Sequence, residues 1–229
     1  MLCKIVDLIT DIPASESLAL RCQDYLYHGN DPVDFTIRSD LYRTNIYSTS
    51  TPPETVAYME SAYQFYKALV HFGGFFLHAS TVVKDGKAYL FSADSGTGKS
   101  THTRLWVSTF GGDTRVINDD KPALRKIDGI WYAYGTPWCG KDHININEKA
   151  PIAGLCFLKQ APHNKIRPLE PTETLNRILK QTIYRFDSMQ DLDVMLALLT
   201  DFLSTIPVYE LENLPQPEAA ILSYETMRV

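Results

Sequence analysis

The chain has 229 residues, of which 45% are hydrophobic and 21% charged, as in a globular protein with a sizeable core. Its net charge of −5 argues against a nucleic-acid partner. No stretch is long enough to span a bilayer, there is no signal peptide, and the four scattered cysteines form no C-x-x-C pair, so we expect a cytoplasmic protein without a membrane partner, disulfide framework or zinc site.

Residues 1–53 are predicted to form a small, mostly β subdomain. Residues 2–8 are a candidate strand, and residues 33–38 alternate between apolar and polar side chains as a half-buried strand does. Turn signals at 29–32 and 51–53 bracket the region. We therefore divide the chain into an N-terminal subdomain, 1–53, and a main domain, 54–229.

The first elements of the main domain are a helix and a β-hairpin. A helix is expected over 54–72, ended by Gly73-Gly74, with one apolar face made of Val56, Met59, Tyr63, Tyr66 and Val70. A strand over 75–83 and a second over 88–92 are joined by Asp85-Gly86, a strong hairpin signal.

The rest of the main domain alternates strands and helices, which predicts an α/β fold with a mixed sheet. Strands are expected at 114–118, 152–158 and 208–211, with a second Asp-Gly hairpin over 123–134. Helices are expected at 99–109, 171–182, 189–203 and 217–227. In the third of these helices we expect a buried stripe made of Leu192, Met195, Leu196 and Leu199.

The strand over 88–92 runs into a glycine-rich turn and then a helix, the context in which a phosphate-binding loop is credible. Gly96 and Gly98 can adopt positive φ and turn successive N–H groups toward one anion. The positive end of the helix dipole faces the same place. Ala93 occupies the first glycine position of the G-x-x-x-x-G-K-[ST] pattern, which requires ordinary strand-like dihedrals at that residue.

The loop predicts ATP and Mg²⁺ as cofactors. Lys99 supplies a mobile charge for the β- and γ-phosphates, and the Ser100 hydroxyl is a hard oxygen ligand for Mg²⁺. The expected nucleotide-binding residues are Ser95, Gly96, Thr97, Gly98, Lys99, Ser100 and Thr101.

Asp119 and Asp120 follow an apolar strand and are candidates for the metal-holding carboxylate and the proton acceptor that phosphoryl transfer requires. Consecutive residues at a strand end project to opposite sides, so one carboxylate can face the metal and the other the acceptor. The residues themselves do not separate the two roles, and a solvated acidic turn is the alternative.

These segments, GTGKST and INDDKP, with FLHAST one strand before the loop, resemble the HPr kinase/phosphorylase family. The broader resemblance is to the phosphoenolpyruvate carboxykinase-like P-loop fold, and it covers about residues 75–160. It implies a P-loop core with C-terminal helices and makes a homo-oligomer plausible. By the same resemblance, His78 is an active-site histidine, Asp120 the proton acceptor and Asp119 a metal ligand beside Ser100.

The chain also departs from that family. Thr101 stands where an acidic residue is common, and residues 131–134 lack an expected second metal-binding glutamate. The regulatory N-terminal domain and C-terminal helix of the full-length enzyme are not evident. The chain is therefore similar to a divergent branch, the small serine kinases of peptide-modification gene clusters, and phosphorylation of HPr itself or the reverse phosphorolysis becomes doubtful.

A second constellation is the loop from Gly135 to Lys141, in which two glycines bracket a Pro-Trp pair. Lys141 is a candidate catalytic residue that stabilises the transferring group, with Trp138 excluding water. The alternative is a structural loop with an exposed lysine and a packed tryptophan.

The sequence therefore predicts an ATP- and Mg²⁺-dependent serine kinase whose catalytic residues are His78, Lys99, Asp120 and Lys141. The expected partner is a small protein or peptide that presents a serine hydroxyl. Two other hypotheses stay open: a non-catalytic nucleotide-binding sensor or scaffold, and a small-molecule phosphotransferase.

Overall fold

The computed structural model describes residues 1–182 and 188–228. In chain order the strands are β1 (Leu2–Ile5), β2 (Leu8–Asp11), β3 (Phe35–Thr36), β4 (Gly74–Phe76), β5 (Ala79–Lys84), β6 (Lys87–Ser92), β7 (Arg115–Asp120), β8 (Ala123–Ile127), β9 (Ile130–Tyr134), β10 (Lys149–Gln160), β11 (Lys165–Pro168) and β12 (Val208–Asn213). The α-helices are α1 (Glu16–Arg21), α2 (Pro53–Leu69), α3 (Lys99–Phe110), α4 (Pro171–Gln181), α5 (Met189–Thr205) and α6 (Pro217–Met227). None of the described helices is long and apolar enough to cross a membrane.

The first three strands form a separate small sheet in the order β1-β2-β3. The single strand expected over 2–8 is instead a hairpin, because Val6 and Asp7 both take positive φ and reverse the chain. The strand expected over 33–38 is reduced to Phe35–Thr36, and α1 was not predicted. The proposed boundary near residue 53 stays a prediction, and its second domain includes residues 183–187 and 229, which lie outside the described part.

The large sheet is mixed, with the path β4-β8-β9-β10-β6-β5-β7 and with β12 and β11 attached beside β10. Strand β10 is long enough to pair antiparallel with β9 through its first residues and parallel with β6 and β12 further on. The predicted α/β class with a mixed sheet is confirmed.

Both Asp-Gly hairpins are confirmed, and their turn residues explain why. Asp85 and Gly86 have φ of 50° and 72°, and Asp128 and Gly129 have φ of 49° and 83°. Two successive residues with positive φ match the right-handed twist of the flanking strands.

The strand expected over 75–83 is split into two by a break at Leu77 and His78. Strand β4 pairs with β8, whereas β5 lies between β6 and β7. The break turns the chain from one half of the sheet to the other, and it leaves His78 immediately before β5, opposite the end of β7.

Helices cover both faces of the sheet around β6. Leu90 belongs to a core cluster with Met195, Leu199 and other residues of α4 and α5. Its neighbours Tyr89 and Phe91 belong to another cluster, with Trp106 of α3 and residues of α6. Alternate side chains of β6 therefore pack into two cores, one on each face of the sheet. This packing fixes the direction in which β6 leads into the loop before α3.

The predicted apolar faces of α2 and α5 are only partly right. Met59 is 46% exposed, whereas Glu60 is buried because Arg43 forms a bidentate ion pair with it. In α5, Leu196 lies toward solvent, and Phe202 continues the buried stripe of Met195 and Leu199. Periodicity alone did not reveal that the ion pair with Arg43 would allow Glu60 to be buried on α2.

Candidate active site

The loop between β6 and α3 has the geometry expected of an anion cradle. Gly96 and Gly98 have φ of 81° and 113°, in the region that favours glycine. Ala93 is buried and its φ is not positive, which is why alanine is tolerated at the first glycine position. Ser95 and Gly96 are exposed, Thr97 is half-buried, and Thr101 is exposed on the first turn of α3.

Lys99 folds back over this loop and is 9% exposed. Its Nζ donates to the carbonyl oxygen of Ala93 at 2.9 Å and of Asp94 at 3.5 Å. Burial lowers the pKa of Lys99, although Asp120, Asp119 and Asp94 oppose that change. The ammonium group therefore lies at the cradle, bound to main-chain oxygens.

Ser100 and Asp119 lie together at the start of α3. The Ser100 hydroxyl donates to Oδ1 of Asp119 at 2.9 Å, and Asp119 is 6% exposed. The strand pairing explains the contact, because β7 lies antiparallel to β5 with Asp119 opposite Ser80, and Ser80 contacts Thr103 of α3. The structure thus brings together the two residues predicted to hold a metal ion.

Asp120, the next residue, contacts two basic groups. Its Oδ1 lies 3.2 Å from Nε2 of His78, and its Oδ2 accepts a hydrogen bond from Nζ of Lys121. Burial alone would raise the pKa of Asp120, but the hydrogen bond from His78 and the charge of Lys121 outweigh it and lower the pKa to about 2. Asp120 is therefore ionised at neutral pH.

Gln181, which the sequence did not single out, connects His78 to the loop between β6 and α3. Its Nε2 donates to Oδ1 of Asp94 at 2.9 Å, which leaves Oε1 to accept from Nδ1 of His78 at 2.9 Å. The main-chain N–H of His78 also donates to the Gln181 carbonyl at 2.7 Å. The chain Asp94–Gln181–His78–Asp120 thus fixes the imidazole ring between the loop and the carboxylate.

The loop from Gly135 to Lys141 packs against the end of β7. The N–H of Gly140 donates to the Asp119 carbonyl at 2.8 Å, and a Cβ at Gly140 would approach that oxygen to 2.7 Å. Asn118 holds the same loop, since its Nδ2 donates to the Thr136 carbonyl at 3.1 Å. The loop therefore supports the backbone of the two aspartates.

Trp138 and Lys141, the two residues of this loop with predicted roles, lie in different environments. Trp138 is fully buried, packs between Phe65 and Tyr66, and donates to the Ser61 hydroxyl, so the structural alternative holds for it. Lys141 is exposed on the rim of the cavity that contains Asp120, and no contact joins it to Lys99 or Asp120 in the described part of the chain.

Cavities open on both sides of this constellation. One of about 520 Å³ adjoins the loop glycines and Thr101 and extends to Asn213. Within the described residues, Asn213 Oδ1 and Nδ1 of the neighbouring His102 are buried without a hydrogen-bond partner. Another, of about 350 Å³, contains Asp120. A third, of about 610 Å³, lies between β3 and α2, and none of the predicted site residues lines it.

The fold and site define the class as an α/β protein with a mixed sheet, in which a glycine loop leads into a helix beside two carboxylates. Residues 46–215 match the family described as SynChlorMet cassette protein ScmC, and the chain belongs to that family. No curated protein matches the chain.

Among solved structures, the chain is similar to the Hpr(Ser) kinase/phosphatase from Coxiella burnetii. The similarity covers 67% of this chain and 88% of that one, at 13% identity and a TM-score of 0.38.

Proposed function

We propose that the chain is an ATP- and Mg²⁺-dependent kinase that transfers the γ-phosphoryl group to a hydroxyl, and that the acceptor is a serine of a small protein or peptide. The observation that carries the proposal is the contact of Ser100 with Asp119, next to an Asp120 that His78 holds. Phosphoryl transfer needs a phosphate cradle, a metal ligand and a proton acceptor, and candidates for all three adjoin one another here.

The residues present fit a nucleotide and Mg²⁺. The loop glycines and Thr101 line a cavity of about 520 Å³, which leaves space for a ligand beside the loop. Ser100 and Asp119 are hard oxygen donors, and they would hold Mg²⁺, which usually keeps waters and phosphate oxygens as its other ligands. The described residues contain no cluster of three or more His, Cys, Asp or Glu side chains for a metal, and a site of this kind needs none. Bound Mg²⁺ supplies charge neutralisation at the transferring group.

In the proposed reaction the acceptor oxygen bonds to the γ-phosphorus as the bond to the β–γ bridging oxygen breaks, and the hydroxyl proton passes to Asp120. His78 and Lys121 orient the Asp120 carboxylate, and Lys99 offsets charge on the transferring group. A pKa of about 2 makes Asp120 a weak base before transfer, which suits a loose transition state in which proton transfer is late.

The same low pKa favours a second candidate function, a nucleotide-binding sensor without efficient chemistry. Both carboxylate oxygens of Asp120 already have basic partners. Tight nucleotide binding with no transfer to any hydroxyl acceptor would support this alternative.

The test is transfer of γ-labelled phosphate from ATP to serine peptides and to small hydroxyl compounds, combined with a direct measurement of nucleotide binding. Lys99→Ala should abolish transfer, and Asp120→Asn should keep nucleotide binding but lower kcat by about 100-fold or more. Lys87→Ala and Asp113→Asn, which alter exposed residues outside the site, are matched controls and should transfer at the wild-type rate. Wild-type turnover by Asp120→Asn would refute the assignment of the proton acceptor.

A further inference from the structure

Asp120 and Lys121 line the cavity of about 350 Å³ together with residues of three other segments. Helix α1 contributes Arg21, α2 contributes Glu54 and Tyr58, and the loop after Gly135 contributes Cys139 and Lys141. Since the cradle for phosphate lies at the loop before α3, this second cavity is the space next to Asp120 that an acceptor would occupy. Its volume suits one or two side chains of a peptide.

Arg21 is held rigidly in this cavity. Its Nη1 donates to Sγ of Cys139 at 3.3 Å, and its guanidinium carbon lies 4.4 Å from the centroid of the Tyr58 ring. The Tyr58 hydroxyl donates to the Cys139 carbonyl at 2.7 Å, which fixes the ring on which the guanidinium stacks. The side chain has thus lost much of its conformational freedom before any ligand binds.

Arg21 has no direct anionic partner. Within residues 1–182 and 188–228, no carboxylate oxygen forms an ion pair with it. Burial raises the pKa of the Cys139 thiol and of the Tyr58 phenol, so both contacts are neutral groups. The two carboxylates of this cavity bind other groups: Glu54 accepts from the N–H of Ser17, and Asp120 accepts from Lys121.

A partly buried arginine that is fixed in place and lacks an anionic partner is suited to bind a carboxylate. We propose that the cavity at Asp120 binds the acceptor and that Arg21 recognises a carboxylate adjacent to the acceptor hydroxyl, an inference that rests on the proposed kinase function. The carboxylate belongs either to an acidic side chain beside the serine or to the C-terminus of a peptide ending in serine. Lys141, on the rim, adds to the positive potential at the entrance.

Binding of two pairs of small peptides, measured by calorimetry without nucleotide, tests the subsite independently of turnover. One pair is acetyl-alanyl-serine with a free or an amidated C-terminus, and the other is a capped peptide in which glutamate or glutamine follows the serine. The wild-type protein should bind the carboxylate member of one pair about tenfold more tightly, as expected for a charge-assisted hydrogen bond. The pair that shows the difference identifies the source of the carboxylate.

Arg21→Gln should abolish this tenfold preference, and Arg21→Lys should retain part of it. Arg38→Gln is the matched control, because Arg38 is exposed, pairs with Asp40 and lies in the separate cavity beside α2. Equal binding of both members by the wild-type protein, no binding of either, or a preference that survives Arg21→Gln would each overturn the proposal. The wild-type comparison requires no variant and holds even if Arg21→Gln does not fold.

The same peptides and labelled ATP separate this proposal from the kinase proposal. Arg21→Gln should raise KM for the preferred peptide about tenfold and leave KM for ATP unchanged. A raised KM for ATP would mean that Arg21 contacts the nucleotide, which would overturn the subsite. Carboxylate-dependent binding without any transfer would refute the kinase and support the subsite. Transfer at the same rate to peptides with and without the carboxylate would support the kinase and refute the subsite.

Discussion

Asp120 combines an unfavourable backbone conformation with a tightly held side chain. Its φ of 142° is unusual for a residue other than glycine. Conformations of this kind cost about 1–3 kcal/mol and persist where the surroundings enforce them. The contacts with His78 and Lys121 supply that constraint. The strain is thus located at the residue to which we assign proton transfer.

The pKa of Asp120 predicts a pH dependence of stability. The group titrates near 3.8 when unperturbed and near 2 in the folded protein, so the ionised carboxylate contributes stability that is complete above about pH 4 and lost as the pH falls toward 2. From about pH 5 to pH 3, the wild-type protein should lose about 1 kcal/mol more of its free energy of unfolding than Asp120→Asn does. Urea unfolding of both proteins at the two pH values measures this. An equal loss in both would show that the pKa of Asp120 is not lowered on folding.

At the scale of elements, the loop after β9 requires glycine where it touches β7. A Cβ at Gly135 would lie 1.9 Å from the Ile146 carbonyl oxygen, and one at Gly140 would lie 2.7 Å from that of Asp119. Both obstructing atoms belong to the backbone, so neither can move without shifting a strand or the loop.

We therefore expect Gly140→Ala to lower the free energy of unfolding by about 1–3 kcal/mol and to lower phosphoryl transfer by at least as large a factor as Asp120→Asn. Gly86→Ala is the matched control, because Gly86 has positive φ in a hairpin turn with no atom near its absent Cβ. That variant should lose about 1 kcal/mol of stability through strain and keep full activity. Chemical denaturation and the transfer assay measure both quantities. Wild-type transfer by Gly140→Ala would show that this loop does not position the two aspartates.

Local patterns were sufficient for part of the fold and the site. The two Asp-Gly hairpins, the helix after Gly98 and the closing helix α6 follow from adjacent residues, and the structure contains all of them. The strand break at His78 was missed, because its cause is the pairing of β4 with β8 and of β5 with β7. A short apolar run in the sequence does not indicate where a strand changes its pairing partner.

Within the site, two of the residues missed are brought in from distant segments. Gln181 and Arg21 are separated from Asp120 by long stretches of chain, and neither belongs to a motif. Lys121 is adjacent to Asp120, and the charge pattern Asp-Asp-Lys was the available signal for it. That the Lys121 side chain contacts Asp120 becomes evident only from the path of the backbone after β7.

For the whole molecule, the proposed cofactors predict a large effect on thermal stability. With ATP and Mg²⁺ at about 100 times the Kd, binding adds about 2.7 kcal/mol. For a chain of this size, that raises Tm by roughly 5–10 °C. Removing Mg²⁺ with EDTA should reverse most of the shift, and Lys99→Ala should show little of it, while Lys87→Ala behaves as wild type. A Tm that does not change at any ATP concentration would count against a nucleotide site.

Strand β5 is hydrogen-bonded to β6 along one edge and to β7 along the other. The glycine loop after β6 and the two carboxylates of β7 therefore share β5 as a backbone neighbour, since β6 and β7 do not pair with each other. Thermal or chemical disruption that releases one from the sheet also removes the support of the other. We therefore expect any ligand affinity and any turnover to be lost together during denaturation. No partly folded state should retain only the loop or only the carboxylates.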